Sequence, residues 1–91
     1  MINFEWGDAK AGSNFKKHRV TFDEAVTVFG GSLAITFPDT DHKDGERRSR
    51  TYGMSSSNRL LVAVHTERRN NVRIVSARKA TKYEKNISEK D

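Results

Sequence analysis

The chain has 91 residues, with 17 Lys and Arg against 12 Asp and Glu, a formal net charge of +5 and no cysteine. That length holds one small domain, 1–91, with a core near the minimum for independent folding, so a partner that binds the folded form would add stability. Lack of cysteine excludes a disulfide framework, a zinc knuckle and thiol catalysis, and no apolar run is long enough for a bilayer or a secretory leader, so a cytoplasmic protein is expected.

In chain order, INFEW (2–6) alternates as a short half-buried strand does. GDAKAGSNFKKH (7–18) reads as a helix with Asp8 at its N-cap, with Ala11, Phe15 and His18 as its candidates for burial. TFDEAVTVFGG (21–31) is a second helix. Thr21 and Glu24 have capping-box spacing, Phe22, Ala25, Val26 and Phe29 line one face, and Gly30-Gly31 ends it. The period then changes to strands: SLAITF (32–37) closed by Pro38, a loop over 38–46, RRSRTYGMS (47–55), the turn SSSN, RLLVAVHTE (59–67) and VRIVSAR (72–78). Residues 79–91 form a polar C-terminal helix and tail. Grouped helices and strands, rather than strict alternation, indicate an α+β fold. It is a small antiparallel sheet with the two N-terminal helices on one face and a C-terminal helix.

The hairpin 59–78 can be divided by face. A turn centred on Arg69-Asn70 or on Asn70-Asn71 pairs odd positions with even ones. Leu60, Val62, Val64, Val75 and Ala77 then form an apolar face for the helices, opposite Leu61, Ala63, His65, Glu67, Ile74, Ser76 and Arg78. An antiparallel sheet often leaves one face wet with charges paired across strands, which is the structural alternative for His65, Glu67 and Arg78.

The basic balance favours a polyanion, since Lys and Arg that neutralise phosphates release counterions. Arg47, Arg48 and Arg50 precede the hairpin, Arg68 and Arg73 flank its turn, and Lys17-His18 end the first helix. Cleaving RNA without a metal needs a base for the 2′-OH, cations for the phosphorane and a proton donor for the leaving oxygen. His18, His65 and Glu67 are candidates for proton transfer, and Arg47 and Arg78 for charge stabilisation. Lys17, Arg48, Arg50, Arg68 and Arg73 are candidates for RNA contact. DTDHKDG (39–45) is not a calcium loop, because Lys43 takes a ligand position and Asp44 the turn glycine. His18, His42 and His65 lack metal-ligand spacing, so neither a metal nor a cofactor is expected.

FEW (4–6), Lys10, Asn14, Lys17-His18, Phe22, Glu24-Ala25 and Phe29, together with ER (46–47), Gly53, HTER (65–68), RIVSARKAT (73–81) and Glu84, resemble the BrnT family over nearly the whole chain. The resemblance implies a RelE-like ribonuclease toxin of a type II toxin–antitoxin system that inhibits translation. It also implies neutralisation by a BrnA-type antitoxin with a ribbon-helix-helix DNA-binding region, through which the complex represses its operon. A dimerising ribbon-helix-helix would make that complex two-plus-two. The family positions that carry over are His18, Arg47, Ser76, Arg78 and Glu84.

Three departures stand out. Gly7-Asp8 follows the tryptophan in place of Asp-Pro, Arg19 replaces a glycine suited to a left-handed helix end, and Ser88 stands near where many members have an aromatic. The competing class is a non-catalytic basic module, or an inactive toxin, that pairs with an antitoxin or nucleic acid.

Overall fold

The computed structural model describes residues 2–39 and 47–89, without the side chains of 86–89. Most of the 38–46 loop, with His42, and Ser88's side chain therefore lie outside the described residues. The elements are β1 (Asn3–Glu5), α1 (Asp8–His18), α2 (Phe22–Val28), β2 (Ile35–Asp39), β3 (Arg48–Met54), β4 (Leu60–Arg68), β5 (Asn71–Lys79) and α3 (Lys82–Glu89). Strand order is β1-β5-β4-β3-β2. The pairs from β2 to β5 are antiparallel, and β1 joins β5 in parallel. Pro38 falls inside β2, where an edge strand tolerates a residue without an N–H.

The helix ends differ from expectation in instructive ways. Gly7, not Asp8, is the N-cap of α1, and Asp8 is its first helical residue. Arg19 holds the left-handed C-terminal position at φ 59°, where a glycine would avoid the Cβ clash. Its guanidinium lies 5.5 Å from the Phe15 ring centre and its carbonyl accepts from Arg59. Phe15 is 41% exposed, not buried as expected, and Asn14 is the α1 residue that goes inside. Thr21 caps α2 by accepting from the Glu24 N–H at 3.0 Å. The Glu24 carboxylate does not close the box but turns to Arg59 and Ser55, tying α2 to the β3–β4 turn. Those hydrogen bonds, Arg59 first, hold the Glu24 carboxyl below its usual range.

Val20, Phe22, Ala25 and Val28 pack on Leu61, Ala63, Ile74 and Ala77, with Phe4, Trp6 and Phe29 at the margin. The helices thus cover the Leu61–Ala63 face of β4, not the Leu60–Val62–Val64 face. A β-bulge changes what accompanies that face on β5, placing Ala77 beside Leu61 and Ala63 and sending Ser76 and Arg78 to the other side. From the Arg69-Asn70 turn to His65–Ile74, odd positions pair with even as expected. Beyond it Val64 pairs with Ser76, Ala63 with Ala77 and Val62 with Arg78. Val75 has no partner in that register, and this extra residue reverses the parity of the rest of β5.

Asn14 completes the core edge. Three-residue β1 reaches only Asn71–Arg73, which leaves the outer backbone of Ala77 without a strand neighbour. The Asn14 side chain accepts from the Ala77 N–H at 3.1 Å and donates to the Ala77 carbonyl at 2.9 Å and the Val20 carbonyl at 3.1 Å. One amide does the work of a missing strand residue.

Candidate functional site

The sheet face away from α1 and α2 is built in rows across the strands. One row is Phe37–Arg50–Val64–Ser76, and the next is Ile35–Tyr52–Val62–Arg78. Toward the β4–β5 turn, Asp39 lies opposite Arg48, and Thr66–Arg73–Glu5 crosses the other strands. Alternation therefore gathers Arg48, Arg50, Arg73 and Arg78 on one open face, beside the rings of Phe37 and Tyr52, whose centres are 5.7 Å apart.

At the far end of this face α3 supplies a carboxylate. Arg78 Nη1 donates to Glu84 Oε1 at 2.7 Å and Nη2 to Oε2 at 2.8 Å. Thr81 and Glu84 also make a complete capping box: Glu84 N–H donates to Thr81 Oγ1 at 3.1 Å, and Thr81 N–H donates to Glu84 Oε1 at 2.8 Å. The same carboxylate thus starts the helix and orients the guanidinium. Arg78 above all, then the Thr81 bonds, draw the Glu84 carboxyl down to about 2. Glu84 in turn keeps Arg78 more firmly protonated. Tyr52 donates to Glu84 Oε2 at 3.3 Å, and burial raises its hydroxyl above the ordinary value, so it carries its proton at neutral pH. Val62, between Tyr52 and Arg78 in the row, is fully buried.

His65 is on the other side. Its row is Pro38–Ser49–His65–Ile74, under the helices, and it is 5% exposed. The ring stands edge-on to Phe29 at 4.9 Å, and Nε2 is 2.7 Å from Thr51 Oγ1, which is 2.7 Å from Thr36 Oγ1. Burial lowers its pKa, with a smaller opposing pull from Glu67, so the ring is neutral near pH 7. Its Nδ1 has no hydrogen-bond partner among the described residues. Glu67 shares the helix-side face by alternation, but is exposed near the turn.

The structure thus brings Arg48, Arg50, Arg73 and Arg78 together with Ser76, and separates His65 and Glu67 from them. Arg68 joins Arg48 and Arg73 around a cavity at the turn end. Arg47 is exposed just ahead of β3, while Lys17 and the half-buried His18 sit at the end of α1. The candidates named from the sequence include neither Tyr52 nor the Thr81–Glu84 box, although Thr-x-x-Glu after a strand is a visible signal. Among the described residues no three His, Cys, Asp or Glu gather as a metal site requires, and no helix is long and apolar enough to cross a membrane.

Comparison with known proteins agrees with this architecture. The family model described as the ribonuclease toxin BrnT of type II toxin–antitoxin systems matches residues 6–84. The 1.1 Å crystal structure of the Brucella abortus ribonuclease toxin BrnT is similar in fold, with a TM-score of 0.71 at 16% identity, covering 90% of this chain and 100% of that one. No curated relative matches. With the matched model spanning α1, α2, strands β2 to β5 and the start of α3, the chain belongs to the BrnT family of ribonuclease toxins of type II toxin–antitoxin systems, with its RelE-like fold.

Proposed function

We propose that this chain is a metal-independent endoribonuclease that cuts RNA on the open face of its sheet, inhibits translation, and is silenced by a cognate antitoxin. The observation that carries this reading is the convergence of Arg50 and Arg78 beside Tyr52 and Ser76, with Arg78 aligned by Glu84.

In the reaction the 2′-oxygen attacks the neighbouring phosphorus as its proton passes to a water molecule. The P–O5′ bond breaks, and the 5′-oxygen takes up a proton, giving a 2′,3′-cyclic phosphate and a 5′-hydroxyl. Negative charge grows on the non-bridging oxygens, and guanidiniums held ready for it lower the barrier. Glu84 occupies two of the five Arg78 donors and a third reaches the Lys79 carbonyl at 3.4 Å, which leaves two for a phosphate. Glu84 itself, ionised down to about pH 2, is too weak a base to accept the 2′-proton well, so its part is to position Arg78. Tyr52, protonated at neutral pH, is the proton carrier beside the arginines and suits the leaving oxygen. Phe37 and Tyr52 offer ring faces to a base. His65, sealed under Phe29, has no part in this chemistry; neither does Glu67 on the helix side.

The antitoxin is proposed to be of BrnA type, with a ribbon-helix-helix region through which the complex binds operator DNA. A surface with this excess of Arg suits an acidic segment of such a partner. The test is induction of the wild type and of Arg78→Ala in bacterial cells, with growth and RNA integrity followed. The expected result is arrest with RNA fragments for the wild type. The variant, folded by circular dichroism, should lose about 10²–10³-fold in cleavage rate. Normal growth and intact RNA from a folded wild type would move the assignment to a non-catalytic binding module.

A further inference from the structure

The open face carries cations at both ends because of the bulge. Arg73 and Arg78 are five positions apart in β5, an odd separation that in a regular strand sends side chains to opposite faces. The unpaired Val75 restores parity, so Arg73 opposite Thr66 and Arg78 opposite Val62 share one face. Bulges recur beside functional sites, where they re-aim a side chain in this way.

At the Arg73 end lies a cavity of about 180 Å³ lined by Gly7, Lys10, Arg48, Arg68 and Arg73. Its four cations come from four elements, α1, β3, β4 and β5, so they are not a charge run but a convergence made by the fold. Two carboxylates stand close: Glu5 accepts from Arg73 Nη1 at 3.1 Å, and Asp39 lies opposite Arg48. A carboxylate engages at most part of a guanidinium's five donors, so paired arginines still present N–H groups to an anion.

We propose that this cavity is a phosphate subsite for the RNA strand, engaging the backbone some distance from the phosphate held at Arg78. The two arginines are about 15 Å apart along β5 at the usual rise per residue. That span corresponds to about two or three nucleotides of extended single strand. The inference rests on the RNA-cleaving reading above and adds Lys10 and a minimum substrate length to it.

The test uses 2′-O-methyl oligoribonucleotides of increasing length, whose blocked 2′-oxygen prevents cleavage. Binding is read from the emission of Trp6, the chain's one tryptophan, which adjoins Gly7 in the cavity wall. Affinity of the wild type should rise about 5–10-fold as the strand becomes long enough to reach the second site. Lys10→Ala/Arg68→Ala should lose that gain, and Lys82→Ala/Lys85→Ala, an equal loss of charge on α3 instead, should keep it. If the double variant does not fold, Lys10→Ala on an exposed position of α1 bears the test alone. A folded variant that keeps the wild-type length gain overturns the subsite. Inorganic pyrophosphate binding as tightly as the longest strand assigns the cavity to a free anion, which also overturns it. Length-dependent binding without cleavage of unmodified RNA leaves the subsite standing and removes the ribonuclease reading alone.

Discussion

The two faces of the sheet handle polar groups in opposite ways. On the helix side, His65, Thr51 and Asn14 are enclosed, and apart from His65 Nδ1 their polar atoms named above bond to one another, to Thr36 or to backbone. On the open side, Arg50, Arg73 and Arg78 are partly exposed, and the pairs of Arg73 with Glu5 and Arg78 with Glu84 leave donors over. The lesson concerns desolvation. Polar groups under the helices have exchanged water for fixed internal partners, so they serve stability. Those on the open face keep donors for an incoming anion, so they serve binding.

The sharpest way to break this contrast is to remove the Asn14 amide. Asn14→Ala leaves the Ala77 N–H and the carbonyls of Ala77 and Val20 without these partners. A loss of about 3 kcal/mol is expected, read as a fall in urea midpoint at unchanged slope. Arg50→Gln on the open face should change the same midpoint by less than about 1 kcal/mol. A large loss at Arg50 and a negligible one at Asn14 would reverse the division of labour between the faces.

A smaller effect is expected where the open face meets α3. The Glu84 carboxyl, at about 2 in the folded chain against 4.5 as reference, is depressed by Arg78 and the capping bonds. A depressed carboxyl contributes stability that is present above the reference value and lost as pH falls through about 2. Glu84→Gln should therefore cost about 1–2 kcal/mol at neutral pH and flatten the acid limb between those two values. An acid limb as steep as the wild type's would show that Glu84 does not carry it.

The smallest change is the one on the helix side. Burial lowers the His65 pKa, so the unfolded chain binds the proton more readily. Its contribution is present above the reference value of 6.5 and is lost as pH falls below it. Stability of the wild type should decline from about pH 6.5 downward, ahead of the Glu84 region. His65→Leu should remove that first part of the slope, while the decline near Glu84 persists. If activity instead vanished in a fully folded His65→Leu, the chemistry would have to reach the helix side.

Much of this was legible from local patterns. The order of strands and helices follows from periodicity and punctuation, and Thr21 with Glu24 marks the start of α2 through its own neighbours. Thr81 with Glu84 was equally legible, but the polar composition of 79–91 obscured it. The burial of Asn14 was not legible, since its partner Ala77 is 63 positions away and only the shortness of β1 creates the need. Arg19 at a left-handed position is intelligible only with Phe15 beneath it and Arg59 on its carbonyl.

By itself, then, the sequence determined the elements, their order, the basic character and the family, because these rest on spacing between near neighbours and on residue type. Which face holds the helices and which the arginines was decided by tertiary structure. Face identity is a matter of parity, and one unpaired residue, Val75, reverses it for everything beyond. That reversal sets Ala77 into the core with Leu61 and Ala63 and brings Arg73 and Arg78 to the same surface, a result that no count along a single strand contains.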